Sequence, residues 1–239
     1  MLFRGVFIDM GIRRKNYAHL DKSFQDVATC VTNCFSRYLK FIGLKSDVLG
    51  HLTVEIVYGK EHMTQRRKWN LEDWNHYLEY ELDFAELEKV GVFEFFVDFV
   101  EEILIEFIGE NHSQVNEVAS LACRIKRDRE LFRIPFRSVN HKMLRIDLFL
   151  LAREGIEDYY QMFMEVTWKE TGVTRTYFVL EDYYQCMVAL VSRISLKGDI
   201  ISFVPGKSDN ARHHQRDFVK RGFDVPVTVD LSTKKPYRF

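Results

Sequence analysis

Apolar positions along this chain switch between two periods, and the switches divide it into elements. Residues 2–12 alternate loosely and are rich in β-formers, which predicts a first strand. Asp21 is placed to cap a helix reaching about Ile42, because Phe24, Val27, Ala28, Val31, Cys34, Phe35, Tyr38 and Leu39 keep a helical period and Gly43 ends it. His51–Tyr58 is alternating and β-branched, a second strand, and residues 60–70, with Arg66, Arg67 and Lys68, read as an exposed loop. From His76 to Phe84 the period is two, with Tyr77, Glu79, Glu81 and Asp83 on one face and Leu78, Tyr80, Leu82 and Phe84 on the other. A helix then runs from about Ala85 to Ile108 with a break expected at Gly91, and Gly109 and Asn111 stop it. Ser113 opens another, whose inner stripe is Val115, Val118, Ala119, Leu121, Ala122 and Ile125.

The second half is mainly β. Phe132–Phe136, Met143–Ala152, Tyr159–Trp168 and Val173–Leu180 read as four strands, and the short polar connections between them favour an antiparallel meander. Residues 181–193 read as a helix with Tyr184, Met187, Val188 and Val191 inward, against a β-rich composition. Ile200–Val204 is a strand, Asp209–Lys220 a polar helix, and Asp224–Leu231 a last strand that Pro226 marks as an edge. A helix-rich N-terminal half packed on a mainly antiparallel β-sheet in the C-terminal half is an α+β pattern. The expectation is one domain over 1–239, with any internal seam near Arg129.

Composition narrows the class. The chain has 239 residues, 46% of them hydrophobic, with 20 phenylalanines but few glycines and prolines, so long elements and short connections are expected. The most apolar stretch, residues 92–108, is broken by five carboxylates and falls short of the roughly 20 apolar residues that span a bilayer. The first residues read as a strand and not as a signal peptide. Cys30, Cys34, Cys123 and Cys186 have neither redox nor zinc spacing, so buried reduced thiols and a cytoplasmic setting are expected.

Charge changes the picture most. Residues 71–110 carry 13 carboxylates and one base, Lys89, whereas 124–153 carry nine bases and three acids and 206–239 eight bases and four acids. At about 100° per residue, Glu94, Asp98, Glu101 and Glu102 share about a third of the helix circumference, opposite Phe96, Val100, Ile103 and Phe107. Like charges at this spacing cost a helix a few tenths of a kcal/mol per pair. Two readings follow: a solvated face neutralised by the chain's own basic half, or a docking surface for a basic partner.

Motifs for phosphate loops, dinucleotide binding, zinc proteases, nucleophile elbows and calcium loops are absent from the sequence. His213 and His214, adjacent on a helix, point about 100° apart and do not suit one metal. Asp147 and Glu165 fall on neighbouring strands and could hold Mg²⁺ in a nuclease. Position 167, where a companion lysine would stand, is however Thr167. Arg124, Lys126, Arg127, Arg129, Arg133 and Arg137, with Arg212, Arg216, Lys220 and Arg221, are phosphate-compatible, but a pI near 6.7 and the acidic block argue against general nucleic-acid affinity.

The resulting expectation is a non-enzymatic binding protein with no metal, no cofactor and no catalytic residue, whose partner is a basic protein. An immunity-type inhibitor of a nuclease-like toxin is its concrete form. Glu94, Asp98, Glu101 and Glu102 would carry the interaction with Glu79, Glu81 and Asp83, and Trp74, beside Trp69 and Tyr77, would anchor it. The alternative is a metal-dependent nuclease or phosphoesterase using Asp147 and Glu165.

Overall fold

The two periods become, in the computed structural model, eleven strands and five helices among the residues it describes, which are 5–9, 22–44, 51–57, 67–72, 75–81, 90–108, 112–152 and 159–239. Helices concentrate in the N-terminal half and antiparallel sheet in the C-terminal half, an α+β arrangement. The chain divides into two units, one of residues 1–134 with 154–157 and one of residues 135–153 with 158–239.

In the first unit, strands β1 (Gly5–Asp9), β2 (His51–Val57), β3 (Arg67–Glu72) and β4 (Asn75–Glu81) form a sheet in the order β1-β2-β4-β3. β1 and β2 are parallel, with Gly5 opposite His51 and Asp9 opposite Glu55. Parallel neighbours need a long crossover, and helix α1 (Lys22–Phe41) supplies it, packing on β1. Residues 67–70, expected in a loop, are instead strand: β3 pairs antiparallel with β4, where an available partner backbone outweighs a basic composition. Of the first strand, expected over residues 2–12, residues 5–9 are described and are strand; residues 2–4, 10–12, 73–74 and 82–89 lie outside the described residues.

Helix α2 (Val92–Ile108) begins where the break was expected, because Gly91 holds φ +93°, a backbone region that side chains with a Cβ avoid. Helix α3 is His112–Asp128. α1 ends in a turn that also needs glycine: Gly43, at φ +72°, donates to the Lys40 carbonyl at 3.1 Å and Leu44 donates to the Leu39 carbonyl at 3.0 Å. Leu39 and Leu44 are both buried, giving that cap its hydrophobic contact. The stripes meet as predicted: Phe35 of α1, Phe96, Val100 and Ile103 of α2, and Val118, Leu121 and Ile125 of α3 are all buried where the three helices pack. Each such side chain contributes about 1.5–3 kcal/mol.

The second unit holds two antiparallel sheets. β5 (Ile134–Asn140), β6 (Leu144–Ala152), β7 (Tyr159–Trp168) and β8 (Thr174–Tyr183) lie in chain order. Leu144, Ile146, Leu148 and Leu150 alternate onto one buried face, as a half-buried strand requires. The opposite face is polar at Arg145 and Asp147 but turns apolar at Phe149, Leu151, Phe163 and Phe178. Tyr237 and Phe239 lie over those rings, with centroids 4.9 and 5.1 Å from that of Phe163, and the Tyr237 N–H donates to the Thr176 carbonyl at 2.7 Å.

Helix α4 (Tyr184–Leu190) is shorter than expected, since β8 continues to Tyr183 and a further strand, β9 (Arg193–Lys197), starts at the far end. β9 pairs with β10 (Ile200–Val204), which pairs with edge strand β11 (Val227–Asp230) just after Pro226. Between β10 and β11, helix α5 (Asp209–Lys220) is capped by Ser208, whose hydroxyl accepts from the Ala211 N–H at 3.2 Å. No described helix is long and apolar enough to cross a membrane, and the four cysteines are unbridged.

Asp182 is 0% exposed at the end of β8 and forms an ion pair with Arg221, just after α5. Arg221 lies over the stacked rings of Phe218 and Phe223, at 5.2 and 5.8 Å from their centroids. Asp182 is buried but Arg221 is 43% exposed, and Asp182 keeps the Tyr183 N–H as a donor at 2.8 Å, so losing the guanidinium leaves a partly satisfied charge. Arg221→Ala is therefore expected to lower unfolding stability by about 1–3 kcal/mol, read from the urea midpoint. A loss below about 0.5 kcal/mol would show that Asp182 does not need it.

Candidate functional site

The acidic stripe sits on α2, and its geometry follows from the antiparallel course of α2 and α3. Early residues of α2 face late residues of α3, so the carboxylates of one helix meet the bases of the other. Asp98 pairs with Lys126, and Glu94 pairs with Arg129, which lies in a 3-10 turn directly after α3. Arg129 holds a left-handed φ of +46° and places its guanidinium 6.0 Å from the Phe93 ring centroid. Glu94 also gains from its place in the first turn of α2, where the helix dipole favours negative charge.

Further along the helix the balance shifts. Glu101 is half-buried, and burial raises its carboxyl pKa above the ordinary 4.5; Lys126 opposes the shift and Asp98 adds to it. Glu102 and Glu106 are exposed on the same helix. α2 as a whole carries five carboxylates and no base. Exposed ion pairs such as Asp98–Lys126 contribute little stability, so they do not explain why the helix carries so much charge.

The expected site residues thus separate. Glu94, Asp98, Glu101 and Glu102 are brought together on α2. Glu79 and Glu81 lie on β4, where Glu79 is in register with Arg67 of β3 and Glu55 of β2, and Glu81 with Val57. Trp69 of β3 is in register with Tyr77. Trp74 and Asp83 lie outside the described residues.

Asp147 and Glu165 occupy directly opposed positions of β6 and β7. Asp147 is occupied by its neighbours: it accepts from the Ser138 hydroxyl at 2.6 Å and pairs with Arg145 at 2.8 Å. Among the described residues no group of three or more His, Cys, Asp or Glu side chains is arranged to hold a metal. The two histidines diverge as adjacent helical residues must, His213 to Asp217 at 3.1 Å and His214 to the thiol of Cys186 at 3.4 Å between Nδ1 and Sγ.

That Cys186–His214 contact was missed by sequence reasoning, because its partners stand 28 residues apart and the packing of α5 on α4 joins them. Burial, and then Asp182, push the Cys186 thiol up to about 11. At neutral pH the sulfur is therefore protonated, a poor nucleophile.

Comparison with protein-family models, with curated proteins and with solved structures gives no match. The functional reading rests on the geometry alone.

The raised Glu101 pKa has a definite sign. The folded state binds that proton more tightly than the unfolded chain, so stability grows as pH falls through the raised value and the gain is complete below 4.5. Glu101→Gln removes the charge at every pH. The variant is expected to exceed the wild type near neutrality, because burial first and the Asp98 repulsion with it outweigh the Lys126 attraction that is also lost, and the difference should close on acidification. Urea unfolding at several pH values measures it; a variant less stable than wild type at neutral pH would contradict the assignment.

Proposed function

We propose that this chain is a binding protein that engages a basic protein partner through the carboxylate face of α2. Its concrete form is an immunity-type inhibitor that covers the basic cleft of a nuclease-like toxin in the cytoplasm. The observation that supports the reading is Glu101. Its charge is held against burial and against Asp98, with Lys126 of α3 opposing them only in part, on a helix that carries five carboxylates and no base. A basic partner would offset that cost by adding countercharge and would be steered toward the face by its field.

The division of labour on α2 fits that role. One face is an apolar stripe that fixes the helix in its unit, with Phe96, Val100 and Ile103 fully buried. The other presents Asp98 and Glu102 to solvent. Ion pairs at such a face set orientation and association rate, while most of the affinity needs an apolar anchor beside them.

The test uses a panel of basic nuclease domains, assayed for binding by calorimetry and for inhibition of nucleic-acid cleavage. At least one member should be bound and inhibited by the wild type. The double variant Glu101→Lys, Glu102→Lys should weaken that binding by 2 kcal/mol or more, about thirtyfold, at an unchanged unfolding midpoint. Full binding by the double variant would remove α2 from the interface.

A further inference from the structure

We infer that the outer face of strands β6–β8 is a docking site for an extended peptide segment with aromatic side chains at alternate positions, and that Tyr237–Phe239 fills it in the free protein. The surface lies wholly in the second unit and does not depend on the acidic-face reading of α2.

The site has an apolar part and a backbone part. Phe149, Phe163 and Phe178 stand in register across β6, β7 and β8, and the Phe163 ring centroid is 5.6 Å from each of the other two. Among the described strands β8 is the last of its sheet, so its outer edge presents backbone N–H and C=O groups beside that row of rings. A segment laid along β8 can therefore add a strand to the edge and set every second side chain against the row.

The chain's own segment shows what the site takes. The Tyr237 N–H donates to the Thr176 carbonyl of β8 at 2.7 Å. The Tyr237 and Phe239 rings lie 4.9 and 5.1 Å from Phe163 and 5.1 Å from each other, centroid to centroid. Residues i and i+2 of an extended segment share a face, which is how both rings reach the row while Arg238 stays exposed. Two aromatic side chains separated by one residue, on a backbone able to pair with β8, are the chemistry that a competing partner must bring.

The resident segment is held lightly. Phe163 beneath it is 1% exposed, but Tyr237 and Phe239 are 46% and 55% exposed, so a large part of each stays in water. Its anchor is the turn after β11, where the Lys234 N–H donates to the Asp230 carbonyl at 2.9 Å and the Ser232 hydroxyl to the Asp230 carboxylate at 2.6 Å. Pro236 stands between that anchor and the rings with no N–H to give, so pairing with β8 cannot run back through it. Segments with few buried contacts open locally while the domain stays folded. A partner segment without a proline there pairs further along β8 and displaces the resident one, which otherwise keeps the edge and Phe163 covered.

The probe is a synthetic peptide of residues 232–239 with a fluorophore at its N-terminus, and its binding to the intact chain is read by fluorescence anisotropy. The double variant Tyr237→Ser, Phe239→Ser lacks the competing rings, and saturable binding to it is expected at a Kd of roughly 0.1 mM. The wild type should bind about tenfold more weakly, because its own segment competes at an effective concentration of about 1 mM. Adding Phe178→Ala to the double variant should weaken binding about tenfold. Adding Val188→Ser, at an exposed position of α4, should leave it unchanged. A control peptide with its last two residues exchanged, which makes its aromatics adjacent, should bind about tenfold more weakly than the probe. Unfolding midpoints report whether each variant is intact, and Tyr237→Ser alone decides if the double variant is not. The inference is overturned by the absence of saturable binding to the double variant, by wild-type binding as tight as the variant's, by full binding after Phe178→Ala, by an equal loss after Val188→Ser, or by a control peptide that binds as well as the probe.

Discussion

The charge layout of the helical unit rests on the apolar contact between its three helices, which brings the bases at the end of α3 beside the carboxylates of α2. Two of them, Lys126 and Arg129, reach across to Asp98 and Glu94. Arg124, Arg127 and Arg133 line a hollow there with Asp128. The two pairs join the carboxylates of α2 to the bases gathered at the end of α3. The helices are held by Phe35, Phe96, Ile103, Leu121 and Ile125, and that apolar contact supports a charge layout that adds little to stability.

The second unit solves a similar problem in the opposite way. Its buried charge, Asp182, is met by one guanidinium fixed over two phenylalanine rings. Its outer sheet face is polar only at one end. Toward the other end Phe149 and Phe163 would be exposed, and the Tyr237 and Phe239 rings cover them.

Much of the fold was legible because its signals are local. The stripe of α1 needs only neighbours three and four residues away, and Gly43 and Gly91 mark backbone angles that few other residues adopt. β7, β10 and α5 have the bounds read from the chain, because a turn or breaker flanks each of them. β3 was not legible: a basic tripeptide reads as a loop until β4 is known to lie beside it. β9 was not read as an element, with only Arg193 falling in the expected helix, because Arg193–Lys197 is five residues long and follows a short helical run. For the site, the shared face of Glu94, Asp98, Glu101 and Glu102 follows from helical spacing. Their partners do not, since Lys126 is 28 residues from Asp98 and Arg129 is 35 from Glu94. The Cys186–His214 contact was hidden for the same reason.

The central claim is that Glu101 on α2 keeps its charge against burial and against Asp98, with Lys126 opposing them. Titration of the side-chain carboxyls by NMR measures this directly, in the wild type and in Lys126→Gln. The account predicts that Glu101 titrates above 4.5 in the wild type and higher still once Lys126 is gone, because burial and Asp98 then act unopposed. A Glu101 that titrates at or below 4.5, or that is unmoved by loss of Lys126, would contradict it.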